Sequence, residues 1–249
     1  MALMPFVPAG YPDLAATAAV LPALADAGAD LIEVGIPFSD PIADGPTIQE
    51  AFSVALAAKL KVADILATIA QVRSGVSVPL VAMVSYSIVF RHGTDRFIAE
   101  AREAGFDGLI LPDLPPPEAD AVCVQVRQAG LDTVLLVAPT TSPSRRQQIV
   151  NLCSGFVYYL SISGITGERD ALPADLADNL RQLRQMTQVP VCVGFGISKP
   201  AHLAQLAGLA DGAIVGSALV RRMKDAAAGG PVAVARAAAD FCKSLVLDH

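Results

Sequence analysis

A glutamate sits in the middle of an otherwise apolar run, Leu31-Ile32-Glu33-Val34-Gly35, and is the first residue here that could do chemistry. An ionised carboxylate is costly to bury in such surroundings. If the run is a strand, alternation puts Ile32 and Val34 on one face and Leu31, Glu33 and Gly35 on the other. With Ile32 and Val34 against helices, Glu33 projects into whatever space the strands enclose. Desolvation there raises its pKa and suits it to general acid–base work. The same position also fits a strand glutamate paired with a neighbouring Lys or Arg, or one facing a loop. Directly afterwards comes a turn-rich loop, Pro37-Phe38-Ser39-Asp40-Pro41-Ile42-Ala43-Asp44-Gly45-Pro46, with two more acids. Asp40, before a proline, reads as a turn-maker through its own backbone hydrogen bonds. Asp44 fits that description too, but it stands in the loop that follows a candidate acid–base residue. Two carboxylates in different surroundings can divide roles, one carrying the proton and one supplying a fixed charge.

A second set of residues is rich in glycine: Ser163-Gly164-Ile165-Thr166-Gly167, Gly194-Phe195-Gly196-Ile197-Ser198 and Gly216-Ser217-Ala218. Glycines let backbone N–H groups approach an anion, and a helix N-terminus adds partial positive charge. Any one of the three fits a simple turn; three in succession, each after an apolar run, point to a phosphate site with donors from Gly167, Gly196, Gly216 and Ser217. Tyr158 and Tyr159 are adjacent, so one faces each way, and either fits a core tyrosine. The histidines, His92, His202 and His249, are isolated and read as surface residues. No metal site is visible.

The elements that must position these groups follow one repeat, an alanine-rich amphipathic stretch and then a short apolar run. Four helical stretches end alike, at Ala27-Gly28, Ala104-Gly105, Ala129-Gly130 and Ala207-Gly208, with an Asp two or three residues later. Glycine closes a helix in the left-handed conformation without a Cβ penalty. Two further strands are opened by Val78-Pro79 and Val189-Pro190, where proline is tolerated. The predicted strands cover 4–8, 31–36, 80–84, 108–111, 133–138, 156–161, 191–194 and 213–216. Most are apolar throughout, as parallel strands covered by helices must be. Eight of them separated by helical patterns predict a single-domain (β/α)₈ TIM barrel over 1–249. A doubly wound sheet would carry a glycine fingerprint after its first strand, and here Pro8-Ala9-Gly10-Tyr11-Pro12 stands there instead. Barrel enzymes put their chemistry at the C-terminal strand ends, and phosphate after strands seven and eight. Glu33 is then in the barrel mouth, and the glycine set follows strands six, seven and eight.

Composition narrows the function. A chain of 249 residues, 53% hydrophobic and 17% charged, can bury a large core and is not disordered. A net charge of −6 without a basic cluster disfavours nucleic acid, which is gripped by Lys and Arg. No run is long and apolar enough to span a bilayer, and no signal peptide opens the chain. The four scattered cysteines, Cys123, Cys153, Cys192 and Cys242, read as reduced thiols of a cytoplasmic protein.

The segment running from Ile32-Glu33-Val34-Gly35 through Asp44-Gly45-Pro46-Thr47-Ile48-Gln49 resembles the signature of tryptophan synthase α chains. Met4-Pro5-Phe6-Val7-Pro8-Ala9-Gly10-Tyr11-Pro12 is similar to that family's first strand and loop. The runs Tyr158 to Gly167, Val193 to Ser198 and Ile214 to Ala218 match as well, so the likeness is collinear over nearly the whole chain. The resemblance implies a cofactor-free and metal-free retro-aldol cleavage of indole-3-glycerol phosphate to indole and glyceraldehyde 3-phosphate. It implies catalytic roles for Glu33, which protonates the indole ring carbon and assists removal of the hydroxyl proton, and Asp44, which binds the indole N–H. Phe6, Tyr158 and Phe195 would touch the substrate, and Gly167, Gly196, Gly216 and Ser217 its phosphate. A PLP-dependent tryptophan synthase β subunit is the implied partner in a heterotetramer.

Three features depart from the family's pattern. The first strand starts almost at Met1 where relatives commonly have a helix under the barrel, so the bottom is closed differently or the start is truncated. Ser85-Tyr86-Ser87 stands where Tyr-x-Asn is frequent, and Val54 replaces a usual Arg. These touch regions that order the second loop and meet the β subunit, so they bear on partner activation. The alternatives are a free-standing indole-releasing lyase, a catalytically quiet phosphate-binding barrel that activates a partner, and a phosphosugar isomerase, since fold alone assigns no function.

Overall fold

The computed structural model describes residues 1–40, 44–161, 175–194 and 196–246. In chain order the elements are β1 Ala2–Pro8, α1 Leu14–Asp26, β2 Ile32–Gly35, α2 Pro46–Ala57, α3 Val62–Val72, β3 Leu80–Met83, α4 Tyr86–His92, α5 Thr94–Ala104, β4 Gly108–Ile110, α6 Pro116–Gln128, β5 Asp132–Val137, α7 Pro143–Leu152, β6 Val157–Leu160, α8 Leu176–Met186, β7 Val191–Gly194, α9 Pro200–Leu206, β8 Gly212–Val215, α10 Ser217–Ala226 and α11 Gly230–Leu245. Each strand pairs in parallel with the next, and β8 closes on β1. The architecture is a (β/α)₈ barrel.

Why the chain alternates is visible at its helix ends. Gly28, Gly105, Gly130 and Gly208 all have positive φ, from 77° to 98°, so each of the four Ala-Gly pairs closes a helix as read from the sequence. The aspartates that follow have a second task. Asp30 Oδ2 accepts the Leu3 N–H at 2.7 Å, Asp107 Oδ2 accepts Leu80 N–H at 2.8 Å, and Asp211 Oδ2 accepts Val191 N–H at 2.9 Å. Each ties the start of an even strand to the start of the odd strand before it. In the β5–β6 pair Ser154 takes that place, its Oγ accepting Thr133 N–H at 3.0 Å and donating to Asp132 at 2.7 Å. The N-terminal rim is thus clamped in four two-strand units.

Two layers of apolar packing meet at the sheet. Outward residues such as Val7, Ile32, Val34, Leu109, Tyr159 and Val193 join the helices in one large cluster. Inward residues form a second, enclosed cluster of Met4, Val81, Ile110, Val134, Phe156, Tyr158, Cys192 and Ile214. Among the strands only β2 is missing from that set, and at the inward position of β2 stands Glu33. Three helices interrupt the simple repeat: α2, α4 and α10 each come between a strand and a further helix. Of these, α2 packs on β1 and on α10, at the side of the barrel where β1 and β8 meet.

Candidate functional site

Strand β2 carries Glu33 between two buried outward residues, so packing of Ile32 and Val34 against the helices forces the glutamate inward. It lies beside Phe6 of β1 and Val81 of β3 in the ladder. The residue is fully buried, and among the described residues neither carboxyl oxygen has a hydrogen-bond partner. Among the described residues no Lys or Arg pairs with it, so the paired-glutamate alternative finds no support there. Burial alone pushes its pKa well above the ordinary carboxyl value, because a charge there has lost water and gained no counter-ion.

Asp44 closes the loop after β2 and precedes Gly45, the N-cap of α2. Burial raises its pKa to about 6. The Tyr158 phenol is raised well above its usual value, first by burial and then by the charges of Glu33, Asp44 and Cys192. One phenol thus feels the charges of both acids. Burial, followed by the Glu33 charge, also pushes the Cys192 thiol up to about 12, so that thiol stays neutral.

Inward glycines make room for the aromatic groups. A Cβ on Gly194 would stand 2.4 Å from Tyr158 Cε1 and 2.5 Å from its hydroxyl, so the tyrosine ring lies directly across β7 at that residue. A Cβ on Gly35 would stand 2.4 Å from Phe6 Cζ. The Phe6 ring also meets Phe52 of α2 edge-on, with centroids 6.4 Å apart. Gly216 comes next to the same ring, its added Cβ 3.8 Å from Phe6 Cβ. Phe6 therefore lies between the acid strand and the start of α10, where Gly216 is the N-cap and Ser217 the first helical residue. The N–H groups of that turn have no partner within the helix and favour an anion.

Of the residues singled out in the sequence, Glu33, Asp44, Phe6, Tyr158, Gly216 and Ser217 are gathered at the C-terminal side of the barrel. Gly196 follows β7 in a half-buried bridge. Gly167 and Phe195 lie outside the described residues. Tyr158 is the inward member of the tyrosine pair, and Tyr159 packs among the helices. The histidine reading needs correction. His202 is buried, accepting Ser198 N–H at 3.4 Å through Nδ1, and His92 is half-buried with Nε2 2.7 Å from Glu100; His249 is outside the described residues. Among the described residues no cluster of His, Cys, Asp or Glu could hold a metal, and no helix is long and apolar enough to cross a membrane. Missed in the sequence were Phe52, Cys192 and the space-making role of Gly35 and Gly194. Strand parity marks the last three as inward.

Comparison with known proteins places this geometry. Residues 1–245 match the family model for the tryptophan synthase alpha chain. The chain is 48% identical to the tryptophan synthase alpha chain of Rhodopirellula baltica over 98% of its own length and 91% of the relative's. It is 47% identical to that of Prochlorococcus marinus over 98% and 88%. Among solved structures, a mutant tryptophan synthase alpha-subunit from Pyrococcus furiosus superposes with a TM-score of 0.90 at 37% identity, covering 98% of this chain and 97% of that one. Tryptophan synthase from Mycobacterium tuberculosis gives 0.87 at 37% identity, covering 99% and 93%.

Proposed function

The chain belongs to the tryptophan synthase alpha chain family, and on that premise we propose how its barrel mouth cleaves indole-3-glycerol phosphate into indole and glyceraldehyde 3-phosphate. One observation carries the reading: a fully buried carboxyl with both oxygens unbonded, in a site otherwise lined by rings and glycines. A native interior rarely leaves such a group unsatisfied unless a ligand completes it.

The phosphate is anchored at the start of α10 by Gly216 and Ser217, with the backbone of Gly196 and Gly167 completing the cradle. Fixing that end holds the indole over the acids, between Phe6 and Phe195 with Tyr158 beside it. Glu33, whose burial favours the protonated form, delivers its proton to the indole carbon that bears the side chain. The ring becomes a cationic indolenine whose N–H faces ionised Asp44, and that fixed negative charge stabilises the cation in a dry site. Glu33, now a carboxylate, takes the proton from the hydroxyl on the attached carbon. The carbon–carbon bond breaks, its electron pair returns to the ring, and the hydroxyl carbon becomes the aldehyde. The proton lent by Glu33 is recovered, so the protein ends as it began.

This division of labour needs Glu33 protonated and Asp44 ionised. Activity then falls on the acid side as Asp44 is protonated near pH 6, and on the alkaline side as Glu33 loses its proton. The whole chain is read as one catalytic barrel domain, working in the cytoplasm, where its four buried free thiols stay reduced. Indole passes to a PLP-dependent β subunit that builds tryptophan. The test is indole release from indole-3-glycerol phosphate by the purified chain, with and without a β subunit. Slow release alone and faster release with the partner support the reading. No indole in either case overturns it and leaves a quiet, partner-activating barrel.

A further inference from the structure

Asp44 stands in an awkward place for a residue that must aim a charge. It ends a long loop and is followed by Gly45, which supplies no side chain to hold the turn, and by Pro46, which has no N–H to give. Gln49 nonetheless reaches the carbonyls on both sides of Gly45. Gln49 Nε2 donates to the Asp44 carbonyl at 2.8 Å. The backbone N–H of Gln49 donates to the Gly45 carbonyl at 3.0 Å, and Ile48 N–H donates to the same oxygen at 3.0 Å. The helix side is itself held: Ser53 Oγ donates to Gln49 O at 2.8 Å, and Glu50 next to Gln49 pairs with Lys224 of α10 at 2.6 and 2.7 Å. Ile48, Ala51 and Phe52 bury the inner face of α2.

We propose that Gln49 is a positioning residue for the lyase reaction, its side-chain amide holding the Asp44 carbonyl so that the carboxylate faces the substrate ring. This rests on the reading of Asp44 as the group that meets the indole N–H. The bond to the Asp44 carbonyl is the only link among those above that depends on the Gln49 side chain; the helix keeps the backbone ones whatever residue stands there. Removing the amide takes this hold from the Asp44 carbonyl and loosens the aim of its carboxylate, while the Glu33 side and the phosphate anchor stay as they are. Because small misplacements of a reacting group cost up to about a hundredfold, the effect should fall on turnover rather than on binding.

The experiment is kinetics of Gln49→Leu, Gln49→Lys, Asp44→Asn and the double variant Gln49→Leu/Asp44→Asn, with binding of glycerol 3-phosphate as the control. Gln49→Leu should lower kcat by about 10- to 100-fold, leave glycerol 3-phosphate affinity and KM within about twofold, and move the acid limb of the kcat profile to lower pH as Asp44 gains water. Gln49→Lys, which keeps an N–H donor on a side chain of similar reach, should recover most of the loss. In the Asp44→Asn background the Leu substitution should cause no further loss. A kcat for Gln49→Leu within about twofold of the parent, or a loss undiminished when Asp44 is already Asn, overturns the proposal. Full activity of Asp44→Asn is a separate result: it removes the reading of Asp44, and this inference with it.

Discussion

At the N-terminal rim Asp30, Asp107 and Asp211 each accept the opening N–H of a neighbouring strand on a carboxylate oxygen, whereas in the mouth Glu33 is buried with neither oxygen bonded among the described residues. The contrast separates two uses of an acid on one scaffold. A satisfied carboxylate holds strands together. An unsatisfied one contributes nothing to cohesion, is driven to the neutral form by lost solvation, and keeps a proton ready to deliver. The rim reads as stability and the mouth as chemistry, as barrel enzymes in general arrange them.

Substitutions at the two ends should therefore separate rate from stability. Between the two ends the larger effect is expected in the mouth: Asp44→Asn should reduce kcat by about 10²–10³-fold, the usual loss when one fixed electrostatic group is removed from a transition state, without any loss of folded stability. Steady-state indole release and calorimetry on the same preparation decide it; a normal rate would make Asp44 a loop-former. Next comes Asp107→Ala in the rim. It strips the acceptor from Leu80 N–H and the partner of Arg73, so it should destabilise by about 1–3 kcal/mol in urea unfolding and leave kcat unchanged. A loss of rate without loss of stability would erase the contrast. The smallest effect is in the pH dependence of stability. Glu33 and Asp44 have folded-state pKa values raised above the ordinary ones, so below those ordinary values their shifts favour the folded chain in full. That contribution is lost as pH rises through the raised values. The melting temperature should decline from acid toward neutral pH on their account, and Glu33→Gln should flatten part of the decline; an unchanged slope would mean that the carboxyl is not shifted.

Much of the barrel was legible in the sequence because its signals are local. Ala-Gly pairs close helices by a conformation that glycine alone takes cheaply, and the apolar runs are strands wherever they lie. Strand 191–194 is reproduced to the residue, and the first begins two residues earlier than expected, at Ala2. Glu33 was legible for the same reason: parity needs only its neighbours. What depends on distant strands was not. Which of Tyr158 and Tyr159 faces inward follows from the register of β6 with β5 and β7, and the fit of Tyr158 across Gly194 brings together residues 36 positions apart. His202 looked like a surface residue because nothing beside it announces the packing of α9. Helix α2 was hidden by turn residues at its start, and with it Gln49, whose side chain matters only once Asp44 is known to precede a helix.

The direct measurement is indole release by Glu33→Gln, made on protein shown by glycerol 3-phosphate binding and circular dichroism to be folded with its anion site intact. Glutamine keeps the shape and cannot supply the proton, so turnover should drop by about 10²–10⁴-fold, the range general acid–base groups contribute. Turnover close to that of the parent chain would contradict the account, since it would mean that the proton reaches the indole carbon from somewhere other than the buried acid on β2.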